Sequence, residues 1–275
     1  PEGRGPDHRP TPAQWMRAGR RGAGRFELAQ YLVERGASTD IFLAAALGLS
    51  DRAQRMLESN RDLLDLRTGR GDYAEQPPSS YHIYFWTIGD GRSPLDVAAQ
   101  FEQHETLEIM LAFTTPMQRL LSACRMGDEI SARALVRAHP DLIAALRPEE
   151  HRAISDAAWH GDARAVALML ELGFDPRTPG HDSGTALHCA SWNGSAETVA
   201  AILRHPDAHA LVSLRDARYG ATPLGWCCHG SVHGNRSHEH AAVARLLLAA
   251  GAQQGKDTRD SSLSVRAVLE ASPAQ

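Results

Sequence analysis

The sequence predicts an all-α solenoid of about seven short helix pairs stacked one on the next, and three observations carry that prediction. First, Gly184-Thr-Ala-Leu-His-Cys-Ala-Ser-Trp-Asn-Gly194 and Gly220-Ala-Thr-Pro-Leu-Gly-Trp-Cys-Cys-His-Gly230 are two versions of one helix-starting phrase, each followed by a second Ala/Leu-rich helix. Second, a glycine or a stand-in recurs where the two helices of a pair should meet: Gly24, Gly48, Glu102, Gly127, Gly161, Gly194 and Ser231. A tight turn there favours a positive φ. Third, an apolar pair follows about eight residues after each of the first six positions, as one face of a helix requires. These pairs are Leu32/Val33, Met56/Leu57, Met110/Leu111, Leu135/Val136, Met169/Leu170 and Ile202/Leu203. Leu247/Leu248 plays the part in the seventh after an insertion.

The second helices should end at Gly36, Gly173 and Gly251, with Asn60, His139 and Pro206 in that role elsewhere. Spacings of about 24 residues from Gly24 to Gly48, and about 25 from Glu102 to Gly127, are short and predict tight junctions. The excess between the second and third pairs is residues 67–92. Within it, 81–88 is aromatic and β-branched between Pro77-Pro78 and Gly89-Asp90-Gly91, which predicts an enlarged β-hairpin finger. Residues 231–239 are Gly/Ser/His-rich without periodicity and predict an irregular loop. After polar residues 253–260, the amphipathic stretch 261–270 predicts a capping helix. The expected layout is a disordered lead over 1–12, a repeat array over 13–252, and a polar linker with its capping helix over 253–275.

Composition narrows the function. The formal net charge of -4 over 275 residues leaves no basic excess to hold nucleic acid. No apolar run has the length of a membrane span, and 1–12 lacks the apolar core of a signal peptide. Lys256 is the sole lysine and alanine is abundant, which points to a GC-rich, bacterial coding sequence. Cys124, Cys189, Cys227 and Cys228 fall mostly at small-residue helix positions, so buried free thiols and a reducing cytoplasm are expected. The chain begins at Pro1, which keeps open a regulatory or targeting module of a longer polypeptide.

Thr185 to Leu203, Thr222-Pro223-Leu224 and Ser93-Pro94-Leu95-Asp96-Val97-Ala98-Ala99 resemble the ankyrin repeat, and the resemblance extends over about residues 15–253. It implies an ankyrin-repeat solenoid with β-hairpin fingers, one of them enlarged at about 67–92. His188 retains the motif's histidine and should make its buried bond to backbone, whereas Gly225 replaces it and should lack that bond. The enlarged finger with Tyr-His-Ile-Tyr-Phe-Trp is similar to a variety of bacterial ankyrin protein of undefined role. Family membership implies a protein partner and no chemistry.

In ankyrin arrays the two positions before the inter-helix turn face the concave groove. Here that row runs Ala46/Leu47, Gln100/Phe101, Arg125/Met126, Trp159/His160, Trp192/Asn193 and His229/Gly230. Packed helix layers would set the two tryptophans about 10 Å apart. The expected partner-binding residues are Phe101, Arg125, Trp159, His160, Trp192, Asn193 and His229, joined by Tyr81, Tyr84 and Trp86 of the finger. Strand alternation would send Tyr81, Ile83 and Phe85 one way and His82, Tyr84 and Trp86 the other. The alternative is that these aromatics pack between helices.

Cys227, Cys228, His229, His233, His238 and His240 crowd together, but their spacing matches no standard zinc site. Core packing of the cysteines beside a solvated His-rich loop is the expected arrangement, with no metal and no cofactor. His233, His238 and His240 are the weak candidates for a metal. Gly251-Ala-Gln-Gln-Gly255-Lys256-Asp257-Thr258 imitates a phosphate loop but is too short, carries Asp where Ser/Thr is needed, and follows a helix. Gly22-Ala-Gly24 lacks the third glycine of a dinucleotide fingerprint, and no nucleophile elbow or zincin motif occurs. The leading reading is therefore a non-enzymatic interaction module that holds a protein segment in the groove and on the finger. A small-molecule or zinc-binding sensor or enzyme, using the finger pocket or the Cys227 to His240 region, is the alternative.

Overall fold

A computed structural model describes residues 24–74, 84, 87–234 and 239–272, and the chain divides into two compact units, Pro1–Ser122 and Ala123–Gln275. The expected lead over 1–12 lies outside the described residues.

In the first unit the helices are α1 (Gly24–Glu34), α2 (Ile41–Leu47), α3 (Ser50–Ser59), α4 (Pro94–Gln100) and α5 (His104–Ala112); α6 (Pro116–Arg125) carries the boundary between the units. Asp40 caps α2 by accepting the Leu43 amide at 2.8 Å, and every residue of α2 is buried. In α3 only Ala53 and Leu57, four apart, are buried, so it covers the core with one stripe. α2 packs on α4 and α3 on α5, the layering of consecutive helix pairs. Ser93 and Asp96 close a capping box at α4: the Ser93 amide donates to Asp96 at 2.8 Å and the Asp96 amide donates to Ser93 Oγ at 3.1 Å.

The expected hairpin over 67–92 is not shown, and residues 75–83, 85 and 86 lie outside the described residues. Its base is closed, the Thr68 amide donating to Arg92 O at 3.0 Å and the Gly91 amide to Thr68 O at 2.8 Å. Beyond that base no strand occurs among the described residues. Tyr84 is instead helical, its carbonyl accepting the Ile88 amide at 2.8 Å. Its ring is 2 % exposed and packs 5.5 Å from Phe42, which in turn meets Tyr73 edge-on at 4.8 Å. Its hydroxyl donates to the Asp40 carboxylate at 2.6 Å. Aromatic residues favour strands because they need a half-buried surface, and here packing on Phe42 supplies the burial. Tyr81, Ile83, Phe85 and Trp86 lie outside the described residues.

Burial raises the Asp40 pKa, while the Tyr84 and Leu43 hydrogen bonds pull it back down. Tyr84→Phe keeps the ring and removes the donor to that carboxylate. The expected loss is about 2 kcal/mol, measured by urea unfolding against wild type, and an unchanged midpoint would show that the bond contributes nothing.

The second unit contains α7 (Glu129–Ala138), α8 (Pro148–His151), α9 (Ala153–Trp159), α10 (Ala163–Leu172), α11 (Ala186–Asn193), α12 (Ala196–Leu203), α13 (Ala208–Ser213), α14 (Pro223–His233), α15 (His240–Ala249) and α16 (Leu263–Ala271). The first helices α9, α11 and α14 pack in order, the second helices α10, α12 and α15 pack in order beside them, and α16 packs on α15. The turns fall where expected: Gly48, Gly127, Gly161 and Gly194 have φ from 64° to 75°, and Glu102 takes 56° without being glycine.

The seventh turn is corrected. α14 runs through Ser231 to His233, and Gly234 ends it. Ser231 offers no left-handed turn, and its hydroxyl serves other groups, donating to Cys228 O at 2.6 Å and accepting the Ser262 amide at 2.9 Å. All four cysteines are free and buried.

His188 makes its expected bonds. Nε2 lies 3.2 Å from Ala221 O, which can only accept, so that nitrogen carries the proton. Nδ1 accordingly accepts from the Thr185 amide at 3.2 Å and from its hydroxyl at 2.8 Å. At Gly225 the missing histidine is replaced from elsewhere. Asp257 Oδ2 accepts from the Thr222 amide at 2.9 Å and the Thr222 hydroxyl at 2.7 Å. The segment that imitates a phosphate loop thus supplies a structural carboxylate.

Candidate functional site

Trp159, Trp192 and His229 occupy the same position in three successive first helices, just before the turn or, in α14, before its last residues. Register therefore brings them together. The tryptophan rings are parallel, 7° apart in plane with centroids at 6.2 Å, closer than the expected 10 Å. His229 lies 5.4 Å from Trp192. The backbones of α11 and α14 approach closely at Gly230, where a Cβ would stand 2.5 Å from Trp192 O.

Trp226, three residues before His229 on the same helical face, stands nearly perpendicular to Trp192 at 6.3 Å. Its indole N–H donates to Asp216 Oδ2 at 2.9 Å. Asp216 also accepts from the amides of Arg218, Tyr219 and Ala221, which shapes the loop before α14 and holds its carboxyl below the usual carboxylate range, although burial opposes this. That loop is a tight turn, in place of a β-hairpin finger.

Trp159, Trp192, Trp226 and Tyr219 wall a cavity of about 370 Å³. Asp182, Asp257 and His229 also line it, with Ala221 and Gly225. Tyr219 is 61 % exposed, with the Arg218 guanidinium 5.2 Å from its ring centroid. Asp182 and Ser183 both have positive φ, 46° and 64°, a costly conformation for residues with a Cβ. The turn is held from outside: Arg218 pairs with Asp182, and the Arg218 amide donates to Ser183 Oγ at 2.9 Å.

The remaining expected residues are placed differently. Asn193 Nδ2 donates to Trp159 O at 2.9 Å, a tie between layers, and half-buried His160 follows Trp159 at the end of α9. Phe101 belongs to the first unit and packs on its core. Arg125 is half-buried at the end of α6. Tyr84 is a core residue, which corrects its expected place on a binding surface; Tyr81 and Trp86 lie outside the described residues.

Of the weak metal candidates, His240 is buried and bonds Trp192 O at 2.9 Å through Nε2, so it is a packing histidine. His238 lies outside the described residues. His233 lies beside His229, the two rings 4.2 Å apart, and both approach the carboxylate of Asp260.

The family model described as Ankyrin repeats (3 copies) matches residues 151–260, the stretch that holds the whole aromatic cavity. No curated protein matches the chain.

Proposed function

From the premise that this is an ankyrin-repeat protein, its matched repeats spanning residues 151–260, we propose that it captures a segment of a partner protein by seating a side chain in the Trp159/Trp192/Trp226 pocket. Ankyrin repeats are generally protein–protein interaction modules. The observation that supports this reading is the cavity of about 370 Å³, whose walls are residue types that anchor interfaces. Stacking of Trp159 on Trp192 and the Trp226 bond to Asp216 hold these walls in place before binding, so little entropy is lost on closing. An aromatic or long apolar side chain fills such a pocket. Asp182 and Asp257 at its lining accept N–H groups of the same segment. The reading is of a non-enzymatic protein, and its buried thiols fit a reducing cytoplasm. No described helix is long and apolar enough to cross a membrane.

Peptides selected from a random library on the wild-type protein test this. Tyr219→Ala and Trp159→Ala, each checked for native circular dichroism, should weaken the selected peptides by about 2 kcal/mol or roughly 30-fold. Equal binding to both variants would place the partner surface elsewhere.

A further inference from the structure

The aromatic pocket has a second feature at its edge. His229 and His233 are one helical turn apart on α14, so their side chains share a face. His229 Nδ1 lies 2.7 Å, and His233 Nε2 2.8 Å, from the same atom, Asp260 Oδ2. The three potential ligand atoms all lie within 4.8 Å of one another. Two imidazole nitrogens and one carboxylate oxygen are the donor set that borderline divalent ions take.

The convergence is held by groups outside the triad. Ser231, between the two histidines on α14, accepts the Ser262 amide at 2.9 Å, which pins the residues following Asp260 to that helix. Ser262 in turn caps α16, its hydroxyl accepting the Val265 amide at 3.5 Å. The carboxylate and the imidazoles are therefore brought together by amide-to-hydroxyl bonds that need no ion. In a tetrahedral zinc site with bonds of about 2.05 Å, neighbouring ligand atoms are ~3.3 Å apart, so the two contacts to Asp260 need to lengthen by about half an ångström, and rotation of these exposed side chains supplies that and sets the spacing of the imidazoles.

We propose that His229, His233 and Asp260 form a three-ligand site for a divalent transition-metal ion of the zinc class, with an open position beside the aromatic pocket. His229 belongs to both features, lining the cavity and facing Asp260. An ion held there offers its remaining position to water or to a carboxylate or imidazole of a bound molecule. Three protein ligands and one open position distinguish such a centre from a closed structural site. The inference stands independently of partner capture by the tryptophans.

Calorimetric titration of the metal-stripped full chain with zinc tests it. One equivalent should bind, and His229→Ala, His233→Ala and Asp260→Asn should each weaken binding at least about tenfold, since loss of a ligand costs no less than loss of its supporting group. His104→Ala, which removes an imidazole in the first unit, should leave binding unchanged. The three residues are exposed, so their variants should fold; Asp260→Asn also preserves an acceptor for both imidazoles and separates charge from structure. No binding at micromolar zinc, or equal affinity in wild type and the His229→Ala/His233→Ala double variant, would reduce the cluster to an ion pair. Peptide capture in metal-free buffer reads the pocket alone, so the two readings fail separately.

Discussion

Lowering the pH from about 6.5 to about 4 is expected to remove about 3 kcal/mol of stability through one residue, His188. Its side chain is fully buried in the second unit, and burial lowers its pKa from 6.5 to about 4, although the Ala221 carbonyl and the nearby Asp216 carboxylate favour the charged form. The unfolded chain therefore binds a proton between these values that the folded chain refuses. The stabilisation is fully present above pH 6.5 and is lost as the pH falls toward 4. Protonation would also convert Nδ1 from acceptor to donor, opposing the Thr185 amide that now donates to it. Asp216 acts in the same direction at lower pH: its pKa is lowered, so its contribution fades as the pH falls below the ordinary carboxylate value. Urea unfolding at pH 7.5 and 4.5 should show the loss in wild type. His188→Gln, weaker at pH 7.5, should show little change across the same window. An equal slope in both proteins would assign the acid sensitivity to other groups.

The parts of this architecture that were legible in the sequence are those set by local chemistry. The turn at Gly194 and the apolar pair at Ile202/Leu203 follow from a single helix pair, and Trp159, Trp192 and His229 share a register position, so repetition alone aligned them. Trp226 carried a usable signal, its three-residue offset from His229 placing it on the same face, and only its invariance of position across repeats was missing. Asp182, Tyr219, Asp257 and Asp260 belong to loops or short turns. A loop residue's place is set by distant contacts, as when Asp260 meets His229 across 31 positions of sequence, and no periodicity announces it. Tyr84 misled for a different reason: its strand propensity reported a need for burial, which Phe42 and Tyr73 satisfied without a strand.

Gly225→His, which restores the family's own residue, is expected to destabilise the protein by about 3 kcal/mol. Thr222 begins α14 as Thr185 begins α11, and each needs an acceptor for its amide and its hydroxyl. His188 answers Thr185 from inside the repeat; Asp257 answers Thr222 from the segment after α15. The two solutions exclude one another in space, since a Cβ at position 225 would stand 2.6 Å from Asp257 Oδ2 and 2.9 Å from its Cβ. A side chain there displaces Asp257 and breaks both of its bonds to Thr222. Asp257→Ala alone leaves the buried Thr222 amide and hydroxyl without that acceptor and should cost about 2 kcal/mol. In Gly225→His/Asp257→Ala the carboxylate that blocks position 225 is gone; the Cβ at 257 stays 2.9 Å from the new Cβ, so the segment shifts by a few tenths of an ångström, and the imidazole can then take the Thr222 amide as His188 takes that of Thr185. The double variant should therefore be less destabilised than the sum of the singles by about 1–3 kcal/mol, read by urea unfolding in a double-mutant cycle. Strict additivity would mean that Asp257 does not replace the missing histidine, and that Gly225 answers some other constraint on α14.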